Sequence, residues 1–386
     1  MSFSNPLSIK GLLKTYLTQV TGTSRQVSRS YLDILKKTLS LFGKDYQNYS
    51  VIENKKEILC PTYPTVIPLP TRGVLSTQGG TRKLQQHFEA SSKIRMRQRF
   101  AVPVFSYQDK LICRSSCVRS GSSVGNISNE TFLLKQLGVT TIIDFMLKPI
   151  HPRPNLGIGL TELDLEFGNS YRDFSVNYFP FKGVQTLICF NKLGYDVSNL
   201  EYRIIEGSGY NRPSVNFEKY VKRNTPDVPS HMMHKRKISL VKLFQTYFQS
   251  CIDKLGNDKS NGLLIHCFSG WDRTPLFLSM IRLSLWADGL LHSDLSLEEL
   301  CYFVISYDWY LYNHRLQRRL RSKSEILHFA FYFMQFLAGE NYSLNKTPKN
   351  IRLKKFLDLY NHFFKNYSQI LPLVKFNPSH KYNPPC

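Results

Sequence analysis

Gly262-Leu-Leu-Ile-His-Cys-Phe-Ser-Gly-Trp-Asp-Arg-Thr-Pro275 is the stretch on which the reading of this chain turns. Gly262–His266 is a short apolar run suited to a buried strand. The seven residues Cys267 to Arg273 then form a loop. Thr274–Asp288 follows as a nearly all-apolar helix, with Pro275 in its first turn and Gly289 just past its end. Strand, loop and helix in direct succession leave the loop at a helix N-terminus. Free backbone N–H groups and the helix dipole converge there, which makes a cradle for a phosphate dianion.

The side chains of the loop suit nucleophilic chemistry on such an anion. The field that holds a phosphate also favours a thiolate, and cysteines at helix N-termini ionise as low as about 3.5–7.5 instead of about 8.5. Cys267 is therefore the expected nucleophile. Arg273 closes the loop and can hold two phosphate oxygens with its planar fork. Gly270 permits a tight bend, and the Thr274 hydroxyl is placed to hydrogen-bond the thiolate. Phe268, Ser269, Gly270, Trp271, Asp272, Arg273 and Thr274 are the expected substrate-binding residues. Trp271 either meets the substrate at the rim or packs the loop on the core, and packing is the preferred reading. Asp272 is the carboxylate of the loop and the first candidate for general acid. Asp227, in Thr225-Pro-Asp227, is the rival. A third possibility is that Asp272 only orients Arg273 or the substrate.

The chain carries its own control. Cys113-Arg-Ser-Ser-Cys-Val-Arg119 repeats the cysteine–arginine spacing, but it has no glycine and leads into Ser-Gly-Ser-Ser. Without a helix N-terminus it has no phosphate cradle. Cys113 is expected to be inert.

Upstream, Ala101–Tyr107 and Lys110–Cys113 read as a strand pair, with further strands at Val139–Phe145 and Phe174–Pro180. Asp144 ends one of them, as a plain cap or as a site residue. Helices are expected over Tyr31–Leu41 with Gly43 as cap, over Glu130–Leu137, and over 238–255 from the face Ile238, Val241, Phe244, Phe248, Cys251 and Leu255. Ser296 with Glu299 predicts a capping box for a helix reaching about Leu320, and Ser322 with Glu325 predicts another. Residues 61–92 read as loop, as does Gly121–Asn129. Residues 183–230 are irregular. The expected architecture is an α/β domain with a central sheet flanked by helices. Its ligand lies at the carboxyl ends of the strands. Three segments are expected: an N-terminal extension (1–92), a catalytic domain (93–340) and a basic tail (341–386) with one short helix near Phe356–Phe364.

Composition sets the boundaries. Apolar residues make up 42% of 386 and aromatics 13%, enough for a large core and against a disordered chain. With 51 basic and 28 acidic residues the formal charge is +23, which favours anionic partners. The basic runs Lys93–Arg99, His234–Lys237, Arg315–Lys323 and Arg352–Lys355 read first as solvated helix faces and second as a membrane-facing surface. No apolar run approaches the roughly 20 residues that span a bilayer, and the first residues lack the build of a signal peptide. The eight cysteines follow neither a disulfide nor a zinc spacing, so a reduced, cytoplasmic protein without metal is expected. No nucleic-acid motif accompanies the charge.

The run His266–Thr274, above all Gly270-Trp-Asp-Arg-Thr274, resembles the myotubularin-related phosphoinositide phosphatases. Pro275–Gly289, Leu41-Phe-Gly-Lys-Asp-Tyr46, Arg97-Gln-Arg-Phe100, Ile112-Cys-Arg-Ser115 and Tyr307-Asp-Trp309 are similar to the compact, divergent branch of that family. The resemblance spans about Tyr31 to Leu337 and is weakest between 150 and 235. It implies a tyrosine-phosphatase-like fold and hydrolysis of the 3-phosphate of phosphatidylinositol 3-phosphate or its 3,5-bisphosphate. It further implies a phosphocysteine on Cys267, no cofactor, and peripheral attachment to anionic membranes. Most active members have Ser-Asp where this chain has Phe268-Ser269, so one loop carboxylate is missing and Asp272 stands alone. The rivals are a dual-specificity protein-tyrosine phosphatase and a non-catalytic phosphoinositide-binding scaffold.

Overall fold

Residues 5–19, 28–46, 49–54, 58–70, 78–119, 122, 124–146, 171–181, 187, 201–205, 235–257, 262–347 and 349–370 are described by the computed structural model. In chain order the strands are β1 (Tyr49–Glu53), β2 (Val66–Pro70), β3 (Val102–Tyr107), β4 (Lys110–Ser116), β5 (Val139–Asp144), β6 (Ser175–Tyr178), β7 (Glu201–Ile205), β8 (Lys235–Ser239) and β9 (Gly262–Cys267). The helices are α1 (Ile9–Thr18), α2 (Arg29–Asp45), α3 (Gln78–Ile94), α4 (Val124–Gln136), α5 (Leu240–Gly256), α6 (Arg273–Ala287), α7 (Leu297–Phe303), α8 (Leu316–Arg321), α9 (Ile326–Phe333) and α10 (Asn350–Ile370). A π-helix, Val304–Tyr310, continues α7.

The main sheet has the order β3-β4-β9-β5-β6. β3 and β4 form an antiparallel hairpin, whose turn residues Gln108 and Asp109 take the positive φ that tight hairpins require. From β4 onward every neighbour is parallel. Central parallel strands are covered on both faces and read as continuous apolar runs. β9 is buried at every position and β5 at all but one. The register pairs Ser116 with Cys267 and Asp144 with His266. The carboxyl end of β9 thus lies between the ends of β4 and β5, and the Cys267 loop leaves from the middle of that edge.

Around this frame several expected boundaries move. α2 runs through Gly43, which is not a cap: a side chain there would meet the Tyr49 ring, whose hydroxyl lies 3.2 Å from an ideal Cβ. Residues 61–92 are not loop, for they hold β2 and most of α3. α3 opens on Gly79–Gly80, which reads as a turn, yet Leu84, Phe88, Ser91 and Ile94 lie on one buried face, so packing overrides local propensity. α4 likewise begins inside the stretch read as a glycine-serine loop. Ser296 and Glu299 do form the capping box, but the helix stops short of Leu320, giving way to the π-helix and then to α8. The second box does not form: Glu325 itself precedes α9 and makes no capping bond. The tail is more ordered than its charge suggests, with α10 burying Leu353, Phe356 and Tyr360. Most of 183–230 lies outside the described residues.

Buried apolar side chains from Ile9 to Tyr360 form one cluster, so α1, α2 and α10 share the core of the sheet's helices. α6 packs on β9 and against α5 and α9, while α4 packs on β5. Fully buried ion pairs tie the layers, among them Arg95–Glu130 at 2.6 Å and Arg282–Asp308 at 2.9 Å. Trp309 adds an indole hydrogen bond to Ser279 Oγ of α6 at 2.7 Å. Among the described residues no helix is long and apolar enough to cross a membrane.

Candidate active site

Cys267 is the last residue of β9 and is 2% exposed. Thr274 Oγ1 lies 3.2 Å from its sulfur and can donate to the thiolate. Asp272 occupies the N-cap of α6 but makes no side-chain cap bond, so its carboxylate does not occupy the N–H groups at the helix start. Gly270 has φ +64°, and an added Cβ would stand 2.6 Å from the Ser115 carbonyl oxygen. Only glycine meets both demands. The loop carbonyls are held from behind. His266 O accepts from Phe145 N at 3.1 Å, and Phe268 O accepts from Cys117 N at 3.4 Å and Sγ at 3.3 Å. Gly270 O accepts from Arg99 Nη2 at 3.2 Å and Arg114 Nη2 at 3.0 Å.

Arg273 is the first residue of α6. Its Nη1 donates to the carbonyls of Phe145 and, at 2.7 Å, Phe181. Its guanidinium is therefore anchored to the segments that follow β5 and β6.

Asp272 is gripped on two sides. Arg319 of α8 donates Nε to Oδ1 at 2.9 Å and Nη2 to Oδ2 at 2.5 Å, a bidentate pair. His314 Nε2 lies 3.3 Å from Oδ1, and His314 Nδ1 shares a 2.5 Å hydrogen bond with the Tyr16 hydroxyl of α1. Burial alone would raise the Asp272 carboxyl, but Arg319 and His314 outweigh it and hold it well below the usual carboxylate range. Burial pushes His314 down, so that imidazole is neutral near pH 7. In this geometry Asp272 is an ionised ion-pair partner. A general acid must carry a proton, so Asp272 can fill that role only if Arg319 leaves it. Asp227 lies outside the described residues.

A collar of arginines surrounds the loop. Trp271 is 5% exposed, and Arg97 and Arg315 lie with their Cζ atoms 4.2 Å and 4.4 Å from its ring centroid. The indole both packs the loop and supports the collar. Arg97 also donates Nε to Ser269 Oγ at 3.3 Å and takes a φ of 56°, uncommon for a residue with a side chain. Burial, together with Arg318, lowers both Arg97 and Arg315. Cations crowded like this are relieved by an anion.

Arg114 and His314 have no functional reading from sequence, and Arg97, Arg99 and Arg319 enter only through basic runs read first as solvated faces and second as a membrane-facing surface. Arg95 and Arg99, in the first of these runs, are fully buried, and Arg114 of β4 is 1% exposed. The usable signal was arginine in place of lysine beside apolar residues, since arginine is the cation suited to buried, forked contacts. His234 lies outside the described residues, and Lys354 and Lys355 are exposed on α10. Cys113 sits inside β4, where burial pushes its thiol up. Asp144 is buried at the end of β5 and accepts from Met146 N at 2.7 Å.

No family model matches the chain. Human phosphatidylinositol-3,5-bisphosphate 3-phosphatase MTMR14 is 30% identical to it over 373 residues, which covers 82% of this chain and 55% of that one. The mouse protein of the same name is 29% identical over 364 residues, with the same coverage. Human phosphatidylinositol-3-phosphate phosphatase MTMR7 is 24% identical over 268 residues, or 69% of this chain and 35% of that one. The chain spans about half the length of the MTMR14 proteins it matches. By this alignment and by its Cys267–Thr274 loop, the chain belongs to the myotubularin-related family, as a relative of the MTMR14 proteins.

Proposed function

We propose that the chain hydrolyses the 3-phosphate of phosphatidylinositol 3-phosphate, its 3,5-bisphosphate, or both, on a tyrosine-phosphatase-like fold. One observation carries the reading: a buried cysteine ends the central parallel strand, with a threonine hydroxyl on its sulfur and an uncapped helix start facing it. The names of the relatives supply the substrate class.

In this scheme the phosphate enters the loop and draws Arg273 from the Phe145 and Phe181 carbonyls. Cys267 Sγ attacks phosphorus as the bond to the inositol oxygen breaks, and that oxygen takes a proton. Water then attacks the phosphocysteine, phosphate leaves, and the Thr274 hydroxyl stabilises the departing thiolate. Asp272 stands next to the cradle. A substrate anion that draws Arg319 away would free Asp272 to become protonated and serve as the acid. The collar of Arg97, Arg315 and Arg318 suits a second phosphate or an anionic leaflet, in keeping with a cytoplasmic protein attached peripherally to membranes. Residues 93–340 are the proposed catalytic unit, with α1, α2 and α10 packed on it.

Phosphate release across a panel of phosphoinositides and phosphotyrosine peptides tests the proposal. Fastest release from 3-phosphorylated lipids is expected. Faster release from the 4-phosphate isomer overturns the regiochemistry, faster release from peptides favours a dual-specificity protein phosphatase, and lipid binding without turnover favours a scaffold.

A further inference from the structure

Each peptide unit in the Cys267 loop presents its N–H and its carbonyl to opposite sides. Turning N–H groups toward a phosphate drives carbonyls back into the protein, where each needs a donor. The carbonyls of His266 and Phe268 find backbone or thiol partners. Gly270 O instead meets two guanidinium groups, from Arg99 and Arg114. These arginines come from separate elements and are anchored separately. Arg99 Nη1 bonds Thr62 Oγ1 at 2.8 Å, and Arg114 Nη1 bonds the Asp308 carbonyl at 2.8 Å. Among the described residues neither has a carboxylate within ion-pair distance, and the Nε of each is buried without a partner. Buried, unneutralised cations are costly and call for a compensating anion. Burial pushes Arg99 down to about 10, and Tyr63, Cys60 and Cys267 only partly offset it.

We infer that Arg99 and Arg114 are positioning residues that clamp the Gly270 carbonyl from behind, so that the loop's N–H groups face the phosphate and two cations back it. This rests on the reading of the loop as a phosphate cradle. Neither arginine touches the substrate. Both act through the Gly270 peptide, whose Cβ-less residue lets Ser115 O approach from the same side.

The test uses orthovanadate, a phosphate analogue, against hydrolysis of a soluble aryl phosphate by the full chain. Active molecules are counted by iodoacetamide labelling of Cys267. Arg114→Lys keeps the charge but cannot hold Gly270 O and Asp308 O together. It should raise the vanadate inhibition constant about 10-fold or more and lower kcat/KM, as expected for a lost bond to a charged group. Arg99→Lys should do the same. Thr62→Val, nearly isosteric, removes the shorter of the two Thr62 bonds to Arg99 and should raise the constant a few-fold, and it decides the matter if the arginine variants do not fold. A vanadate constant within twofold of wild type in every variant that folds, with only the count of active molecules or the melting temperature reduced, means a merely structural role and overturns the inference. Wild-type protein that releases no phosphate and ignores vanadate sinks the cradle reading itself, and the inference with it.

Discussion

Cys113–Arg119 and Cys267–Arg273 share the same cysteine–arginine spacing, and they lie on neighbouring parallel strands, β4 and β9. Their fates are opposite. Cys113 sits within β4, opposite Leu264, and the strand continues to Ser116. Beyond the strand, Val118 is bridged to Arg95 and Arg119 donates Nε to the Arg95 carbonyl, and the next helix starts only at Val124. Cys267 ends its strand, and α6 begins at Arg273. A cysteine within a strand gains only burial, which keeps its thiol protonated. A cysteine at the strand's end, facing a helix start, gains donors. Spacing is shared; position relative to the strand's end is the difference.

Four substitutions sharpen or break this contrast. The largest effect is expected from Cys267→Ser, which should reduce turnover to background while vanadate still binds, because a neutral hydroxyl without a base is a poor nucleophile. Wild-type turnover in that variant would end the cysteine mechanism. Asp272→Asn should slow lipid hydrolysis by about 10²–10⁴ if the residue donates the proton, and slow an aryl phosphate much less. Equal losses on both substrates would make Asp272 only the partner of Arg319. Gly270→Ala should cost on the order of 10² in kcat/KM, comparable with loss of one oxyanion-hole donor, since the new methyl meets Ser115 O and the positive φ is strained. A rate near wild type would show that the loop does not need its bend. The smallest catalytic effect belongs to Cys113→Ser. Activity per folded molecule should stay within about twofold, while the melting temperature falls because an unpaired hydroxyl is buried in the sheet. Cys267→Ser should show the reverse pattern, and matching profiles for the two variants would erase the distinction.

The part of the molecule legible in sequence was the part with strong local grammar. The strand–loop–helix at Gly262–Asp288, the strands β3 to β6 and the Ser296 capping box all announce themselves through runs, breaks and caps. α3 and α10 did not. Glycines at the start of one and charges along the other mask a buried stripe that only its packing partners reveal. The same holds within the site. Cys267, Gly270 and Thr274 are neighbours in sequence, and their relations follow from the turn they share. The contacts of Arg99, Arg114 and Arg319 with the loop join positions up to 171 residues apart, which no local pattern encodes. The surroundings of Asp272 were hidden for that reason: the loop contains the carboxylate, but α8 contributes the cation paired with it.

The π-helix Val304–Tyr310 has a consequence for how the gene can change. Its wide turns, seen in the Leu311 N to Ser306 O bond at 2.8 Å, carry one more residue per bond than an α-helix. Such a segment behaves as an α-helix into which one residue has been inserted. Asp308, within the bulge, offers its carbonyl to Arg114 and its carboxylate to Arg282. Losing a single codon here would restore ordinary α geometry, leave the flanking turns in phase and re-aim the residues of the bulge, Asp308 among them. The helix would survive the deletion, but Asp308 would serve one arginine and desert the other. The register of the phosphate loop is thus stored in the residue count of a distant helix, where a one-codon slip is more damaging than most exchanges of one amino acid for another.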